Sequence, residues 1–388
     1  MKLPFASILL FCLAIPAHCL GQRIPPNPAI PGGLGVNIHF TSPQPGEMAE
    51  LADSGIRWVR MDFLWSETER TRGQYDFSAY DRLLAALEPY HIRPILILDY
   101  GNKLYDQGLA PYTPLGRTAF ANWVAAAVKH FRGRGIIWEM WNEPNGNFWK
   151  PKVNFQNYIW LAFTVGETIR ETEPGATYIG PASAVIDFPF LRACFRAGLL
   201  SYWDGVSVHP YRQRDPETVI PVYARLRALI AQYAPKGKTI PIVSGEWGYP
   251  SVPMWWGMTE QRQAKMLARE WLTNILSGVP LSIWYDWRDD GDDPKIPDDH
   301  FGLVSSAYRP GDDPVFAPKP AYRAAQTLTR MLGGYIFKAR LQAGGPGDYV
   351  LLFVEGTRER LAVWTTSSSP HRILIPGARG RFQVTGFE

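Results

Sequence analysis

Residues 138–149 read WEMWNEPNGNFW, with three tryptophans and two glutamates in one short span. Taken with the two isoleucines before it, IIWEMWNE (136–143) is an apolar run of strand length. Strands do end in charged residues. They seldom end in Trp-Asn-Glu-Pro-Asn with a further aromatic pair just beyond. The reading leaves Glu143 at a strand mouth, between the amide of Asn142 and aromatic rings. What surrounds that strand decides what the carboxylate can do.

Moving outward in both directions, the same rhythm repeats. GVNIHF (35–40), IRWVRMDF (56–63), RPILILDY (93–100), ATYIGPAS (176–183), DGVSVHPY (204–211), IPIVSGEW (240–247) and LSIWYDW (281–287) are further strands. Helical patterns lie between them, at 45–55, 76–90, 118–131, 154–172, 187–198, 216–233, 259–277 and 319–332. The strands are mostly continuous apolar runs rather than alternations, as strands covered on both faces are. Eight such units over residues 35–332 predict a (β/α)8 TIM barrel. A doubly wound open sheet is the competitor, and it would not require eight regular units.

Beyond residue 333 the helical signal stops. YIFKARL, DYVLLFVE, RLAVWTT and RILIPG are short strand-like runs with turns between them, which predicts a small antiparallel β module, sandwich-like, over 333–388. Its expected role is structural, with carbohydrate binding as the alternative.

The N-terminus, MKLPFASILLFCLAIPAHCLGQ, sets Lys2 before an apolar run and small residues after it. Residues 1–21 therefore read as a secretory signal peptide, too short for a stable span, and the protein as secreted or periplasmic. His18 makes a poor lipoprotein box around Cys19, so lipid anchoring is not expected. Residues 22–34 form a Pro-rich lead-in. Of the three cysteines only Cys194 lies outside the signal segment, so the mature chain has no internal disulfide and Cys194 reads as a buried thiol. The net charge of +4 has no concentrated stripe; Lys129, His130, Arg132 and Arg134 read as a solvated helix end, not a nucleic-acid patch. A monomer is the default expectation.

In a barrel of this kind, function sits where strands end and βα loops begin. His39, Arg60, Asp62, Asp99, Asn142, Glu143, His209, Tyr211, Glu246, Trp284 and Asp286 fall at such positions. Two glutamates from the fourth and seventh strands thus face one mouth. A carboxylate pair across a cleft suits glycosidic bond cleavage, one protonated and one ionised. Aromatic desolvation is expected to raise the pKa of Glu143, and Arg60 and Tyr211 to keep Glu246 ionised. Glu139 reads as a supporting carboxylate of the barrel interior. Trp65, Phe148, Trp149, Trp255, Trp256 and Phe301 read as cleft walls or as loop packing, within an aromatic content of 13% that suits sugar platforms. The acidic stretch DDGDDPKIPDDH (289–300) lacks calcium-loop spacing. No metal and no cofactor is expected.

WNEPN at the fourth strand, HPY at the sixth, SGEWGY at the seventh and the Trp-bearing eighth strand together resemble clan A of the retaining glycoside hydrolases, its family 39 and family 5 groups in particular. The resemblance covers about residues 35–332. It implies Glu143 as general acid/base, Glu246 as nucleophile, and Asn142 on the sugar 2-hydroxyl. It implies His209 and Tyr211 lining the reacting subsite, Arg60 supporting the nucleophile, and Trp284 as the platform, with Trp287 competing for that place. The expected substrate is a β-linked glycan. Two other readings share the barrel: a non-catalytic envelope glycan-binding protein, which has no need of both glutamates, and an accessory that edits nascent exopolysaccharide.

Overall fold

The computed structural model describes residue 24 and residues 28–252, 258–375 and 383–386. Eight parallel strands close on themselves in sequence order: β1 (Leu34–Asn37), β2 (Trp58–Leu64), β3 (Arg93–Asp99), β4 (Ile137–Met140), β5 (Thr177–Ala184), β6 (Gly205–His209), β7 (Ile242–Trp247) and β8 (Ser282–Trp284). Gly35 closes the ring, pairing with Trp58 on one side and Ile283 on the other. The expected open-sheet competitor is thereby excluded. The helices follow the strands: α1 (Glu47–Asp53), the single turn α2 (Trp65–Thr68), α3 (Ser78–Leu87), α4 (Pro114–His130), α5 (Phe155–Thr172), α6 (Phe188–Arg196), α7 (Ile220–Tyr233), α8 (Glu260–Leu276) and α9 (Pro320–Leu332).

Local chemistry explains where the helices begin. Thr113, Asn154, Asp187 and Thr259 each accept a hydrogen bond from the backbone N–H three residues on, satisfying a donor with no intrahelical partner. Pro114 and Pro189 sit in the first turns, where a missing N–H costs nothing. All four caps lie at the ends of βα loops, so the loops that form the barrel's mouth are pinned at their far ends.

The opposite end of the barrel is filled by an apolar layer of Trp58, Ile95, Ile137, Ile179, Val243, Leu281 and Ile283. Ile24, from the Pro-rich lead-in, joins that layer and is 2% exposed. Gly205 makes room for it: a Cβ there would meet the Ile24 side chain at 2.3 Å.

Antiparallel strands β9 (Ile336–Arg340), β10 (Asp348–Glu355) and β11 (Arg358–Thr365) form the C-terminal sheet, in the order β11-β10-β9. Val350, Leu351 and Phe353 are fully buried. The indole of Trp364 donates to Glu217 at 2.6 Å, and Glu217 also takes two bonds from Arg269 of α8. Ile30 of the lead-in bonds Tyr335 beside β9. The expected fourth strand, RILIPG, does not form over its described residues 372–375; the rest of it lies outside the described residues. Leu374 is 85% exposed there, and the described module is one sheet rather than a sandwich.

Candidate active site

Arg60 of β2 is the hub of the mouth, and it is 1% exposed. Its Nε donates to Glu139 at 2.5 Å, Nη1 to Asn37 at 3.1 Å and to Glu246 at 2.9 Å, and Nη2 to Asn142 at 2.9 Å. Nη2 also lies 3.3 Å from Nε2 of His209. A guanidinium has five N–H donors, and five partners surround this one. Burial works against its charge, but Glu139 and Glu246 outweigh it and hold the group above its ordinary pKa. Glu139, fully buried, is the interior supporting carboxylate that the sequence suggested.

The hub also fixes a tautomer. A guanidinium cannot accept, so Nε2 of His209 must accept from Arg60, which leaves the ring proton on Nδ1. That N–H donates to Oε1 of Glu143 at 2.8 Å. Glu143 therefore has Oε2 free to exchange a proton with a ligand. The backbone delivers it unusually. β4 ends at Met140, and Trp141 (φ 62) and Glu143 (φ 45) both adopt left-handed conformations. Such conformations in non-glycine residues cost about 1–3 kcal/mol each and persist only where the surroundings impose them.

Glu246 ends the opposite side. Oε1 accepts from the Tyr211 hydroxyl at 2.9 Å and Oε2 from Arg60. Arg60 and Tyr211, the two neighbours the sequence reading gave Glu246, both bond it. A carboxylate oxygen of Glu143 lies within 4.8 Å of one of Glu246. The pKa expectation for Glu143 is reversed. Burial does push it up, but the hydrogen bond and electrostatic pull of His209, and after them the charge of Arg60, outweigh burial and hold the carboxyl below its ordinary value. The desolvating walls are not where the sequence put them. Trp149 is 2% exposed and packs behind the loop against Trp141, ring centroids 4.9 Å apart, and against Tyr158. Phe148 is the half-exposed ring, stacked on Tyr100 at 5.8 Å.

Two further aromatic expectations are corrected. Trp284 is wholly buried, its indole donating to the Phe301 carbonyl at 3.1 Å, and Trp287 is buried on Glu47. Trp284 offers no face to a ligand. Tyr285, between them, is the partly exposed ring at the end of β8, edge-on to His39 and to Phe301. Trp65 is also core, stacked on Tyr105. Trp255 and Trp256 lie outside the described residues. His39 stands at the rim, its Nε2 3.5 Å from buried Asp286.

Among solved structures, a family 39 glycoside hydrolase from the gut symbiont Bacteroides cellulosilyticus WH2 matches with a TM-score of 0.74 at 26% identity, over 89% of this chain and 71% of that one. A family 39 enzyme from Xanthomonas axonopodis pv. citri matches with 0.64 at 20%, over 87% and 72%. A family 39 β-xylosidase from Caulobacter crescentus matches with 0.61 at 21%, over 83% and 76%. The chain has the fold of these family 39 glycoside hydrolases. No protein-family model and no curated protein matches the sequence.

In this barrel, one residue the sequence reading passed over stands in its own motif. Asn145, the last letter of WNEPN, ties the β4 turn to the end of β5. Its Nδ2 donates to the Ala184 carbonyl at 3.0 Å and to Asp187 at 3.1 Å, and its Oδ1 accepts from Ala184 N–H at 2.9 Å. The Glu143 N–H bonds the Ala182 carbonyl in the same seam. The signal was available, since Asn is common where a side chain must stand in for backbone.

Among the described residues, two groups of side chains bring three donor atoms within 4.8 Å of one another: Glu143, His209 and Glu246; and His39, Asp286 and Asp290. In the first, the buried Arg60 charge already bonds Glu246 and repels a cation. The acidic loop 289–300 is largely internally bonded, with Asp289 on Lys319 and Asp299 accepting from the Asp293 N–H. Among the described residues, no helix is long and apolar enough to cross a membrane.

Proposed function

We propose that the protein is a retaining glycoside hydrolase that cleaves β-linked poly- or oligosaccharide by double displacement. The observation that carries this is the spacing and asymmetry of the two glutamates. Their nearest oxygens lie within 4.8 Å, which sits closer to the separation of about 5–5.5 Å in retaining enzymes than to the ~6.5–9.5 Å that leaves room for water in inverting ones. Glu246 attacks the anomeric carbon while Glu143 passes its Oε2 proton to the departing glycosidic oxygen. In the second step Glu143 takes a proton from water, the water oxygen bonds the anomeric carbon, and Glu246 leaves as a carboxylate. Tyr211 and Arg60 hold Glu246 for an in-line approach. Asn142, whose Oδ1 is fixed by Arg60, presents its amide to a sugar hydroxyl.

By holding its pKa low, His209 and Arg60 keep Glu143 ready for the base half of the cycle. A bound sugar raises its pKa in two ways: it removes water from a side chain that is 19% exposed, and it strengthens the repulsion from Glu246. Once Glu246 is esterified that repulsion is gone. The N-terminal segment supports an enzyme acting outside the cytoplasm. The test is reducing-end release from β-glucans, xylans, mannans and bacterial exopolysaccharides by wild type and Glu246→Gln, with the anomer of the first product followed by NMR. Release with retained configuration by wild type alone supports the reading; inverted product, or equal release by the variant, overturns it.

A further inference from the structure

The mouth continues past Arg60 towards β1 and β8. Asn37, which accepts from Arg60, lines a cavity of about 410 Å³ there, together with His39, Asp286, Asp289, Asp290 and Arg288. That volume is in the range of sugar-sized sites and far beyond what a lone ion needs. The cavity lies across Arg60 from Glu143. A proton donor contacts the leaving oxygen, so the far side from it is the glycone side.

The charges lining this cavity do not balance. Arg288 is engaged by Glu47 at 3.1 Å, and Asp289 by Lys319 at 2.7 Å. What remains is Asp286, Asp290 and the titratable ring of His39. Asp286 is 1% exposed, and its Oδ1 has no hydrogen-bond partner among the described residues. Asn37 Nδ2 is likewise without one. Burial lifts Asp286 to about 7, with Asp290 adding to the rise and His39 opposing it. His39 is itself raised: burial lowers it, but Asp286 and Asp290 outweigh burial. A buried acceptor with no donor is costly, and two carboxylates beside one another more so. A sugar hydroxyl would give one of them a neutral bond and leave the repulsion. An ammonium gives donors to both and cancels charge.

We propose that this cavity is a glycone-side subsite for a sugar bearing a free amine, with the ammonium held between Asp286 and Asp290. Gln44, Ser306 and Tyr308 on the same wall offer neutral partners for ring hydroxyls. The inference rests on the glycosidase reading only for which side of the bond the sugar occupies.

The test is calorimetric titration of the folded chain at neutral pH with three pairs: glucosamine and glucose, galactosamine and galactose, mannosamine and mannose. Expected is a preference of about tenfold or more for the amine in at least one pair, about 1.4 kcal/mol. N-acetylation should abolish it, as should Asp286→Asn or Asp290→Asn. Asp290 is exposed at the rim, so its variant keeps the test open if the buried substitution disturbs folding. Equal binding within every pair, no binding at all, or a preference that survives Asp290→Asn overturns the proposal. So does a melting shift with calcium or zinc that Asp286→Asn removes while no amine preference exists. Polymer hydrolysis without amine preference fails this inference alone; amine preference without hydrolysis of any polymer fails the glycosidase reading alone.

Discussion

Replacing Arg60 by lysine is the sharpest perturbation the mouth offers, because charge is kept and only geometry is lost. Arginine meets five partners with five N–H donors; a lysine ammonium has three. At least two of the buried partners must go unmet, and each unmet buried group costs about 1–3 kcal/mol, so Arg60→Lys should lose about 2–6 kcal/mol of stability. The partner most exposed to the change is Glu139, fully buried and bonded to Nε, which lysine lacks. Adding Glu139→Gln to Arg60→Lys should therefore return part of the loss, since a neutral amide costs less to bury than a carboxylate without its counter-charge. The assay is urea denaturation of the single and double variants, with kcat measured alongside. kcat should fall steeply in both, because Glu246 loses a fixed donor. A single variant within about 1 kcal/mol of wild type would refute the view that the five-way cluster is what holds the mouth together.

Further outcomes follow from the same geometry. Glu143 is held below its ordinary pKa by His209 and Arg60 and must be protonated to act as the acid, so kcat/KM should fall as pH rises from the acidic range. The kcat profile, set by the complex, should extend to higher pH; coincident basic limbs would contradict the substrate-driven rise. Asn145→Ala should leave the fold intact but lower kcat by about 10–100-fold through displacement of Glu143, with KM little changed; unchanged kcat would show that the β4–β5 seam does not set the carboxylate. Asp286 is raised by burial to about 7 from 3.8, so the folded state holds its proton where the unfolded state has lost it. Stability of wild type relative to Asp286→Asn should accordingly fall as pH rises from about 4 to 7 and level off above, by an order-of-magnitude ~4 kcal/mol; parallel pH–stability curves would refute the assignment.

The barrel was legible because its signal is repetitive. Eight apolar runs with capped helices between them constrain one another, and each strand is found to within a few residues. The two glutamates were legible because each ends such a run. Orientation within a run was not. Trp284, Tyr285 and Trp287 are near neighbours of similar size, and a three-residue strand gives no lasting alternation from which to tell the ring that faces the mouth. Trp149 and Phe148 pose the same problem in a loop, where no periodicity exists. The environment of Glu143 was misjudged for a different reason: its decisive contact, His209, is 66 residues away in the chain, while its sequence neighbours Trp141 and Trp149 turn into the core. In the C-terminal module, RILIPG carries strand propensity, yet its described residues 372–375 form no strand, and propensity alone does not make one.

Ile24 plugs the end of the barrel opposite the mouth, and the lead-in that carries it runs on past Tyr335 of the C-terminal module. Ile24 and the apolar layer it joins therefore mark the face turned away from Glu143 and Glu246. A tether, tag or solid support attached at that end would hold the protein by its back. The cleft would face outward into the medium, and a long polymer could thread it without meeting the attachment.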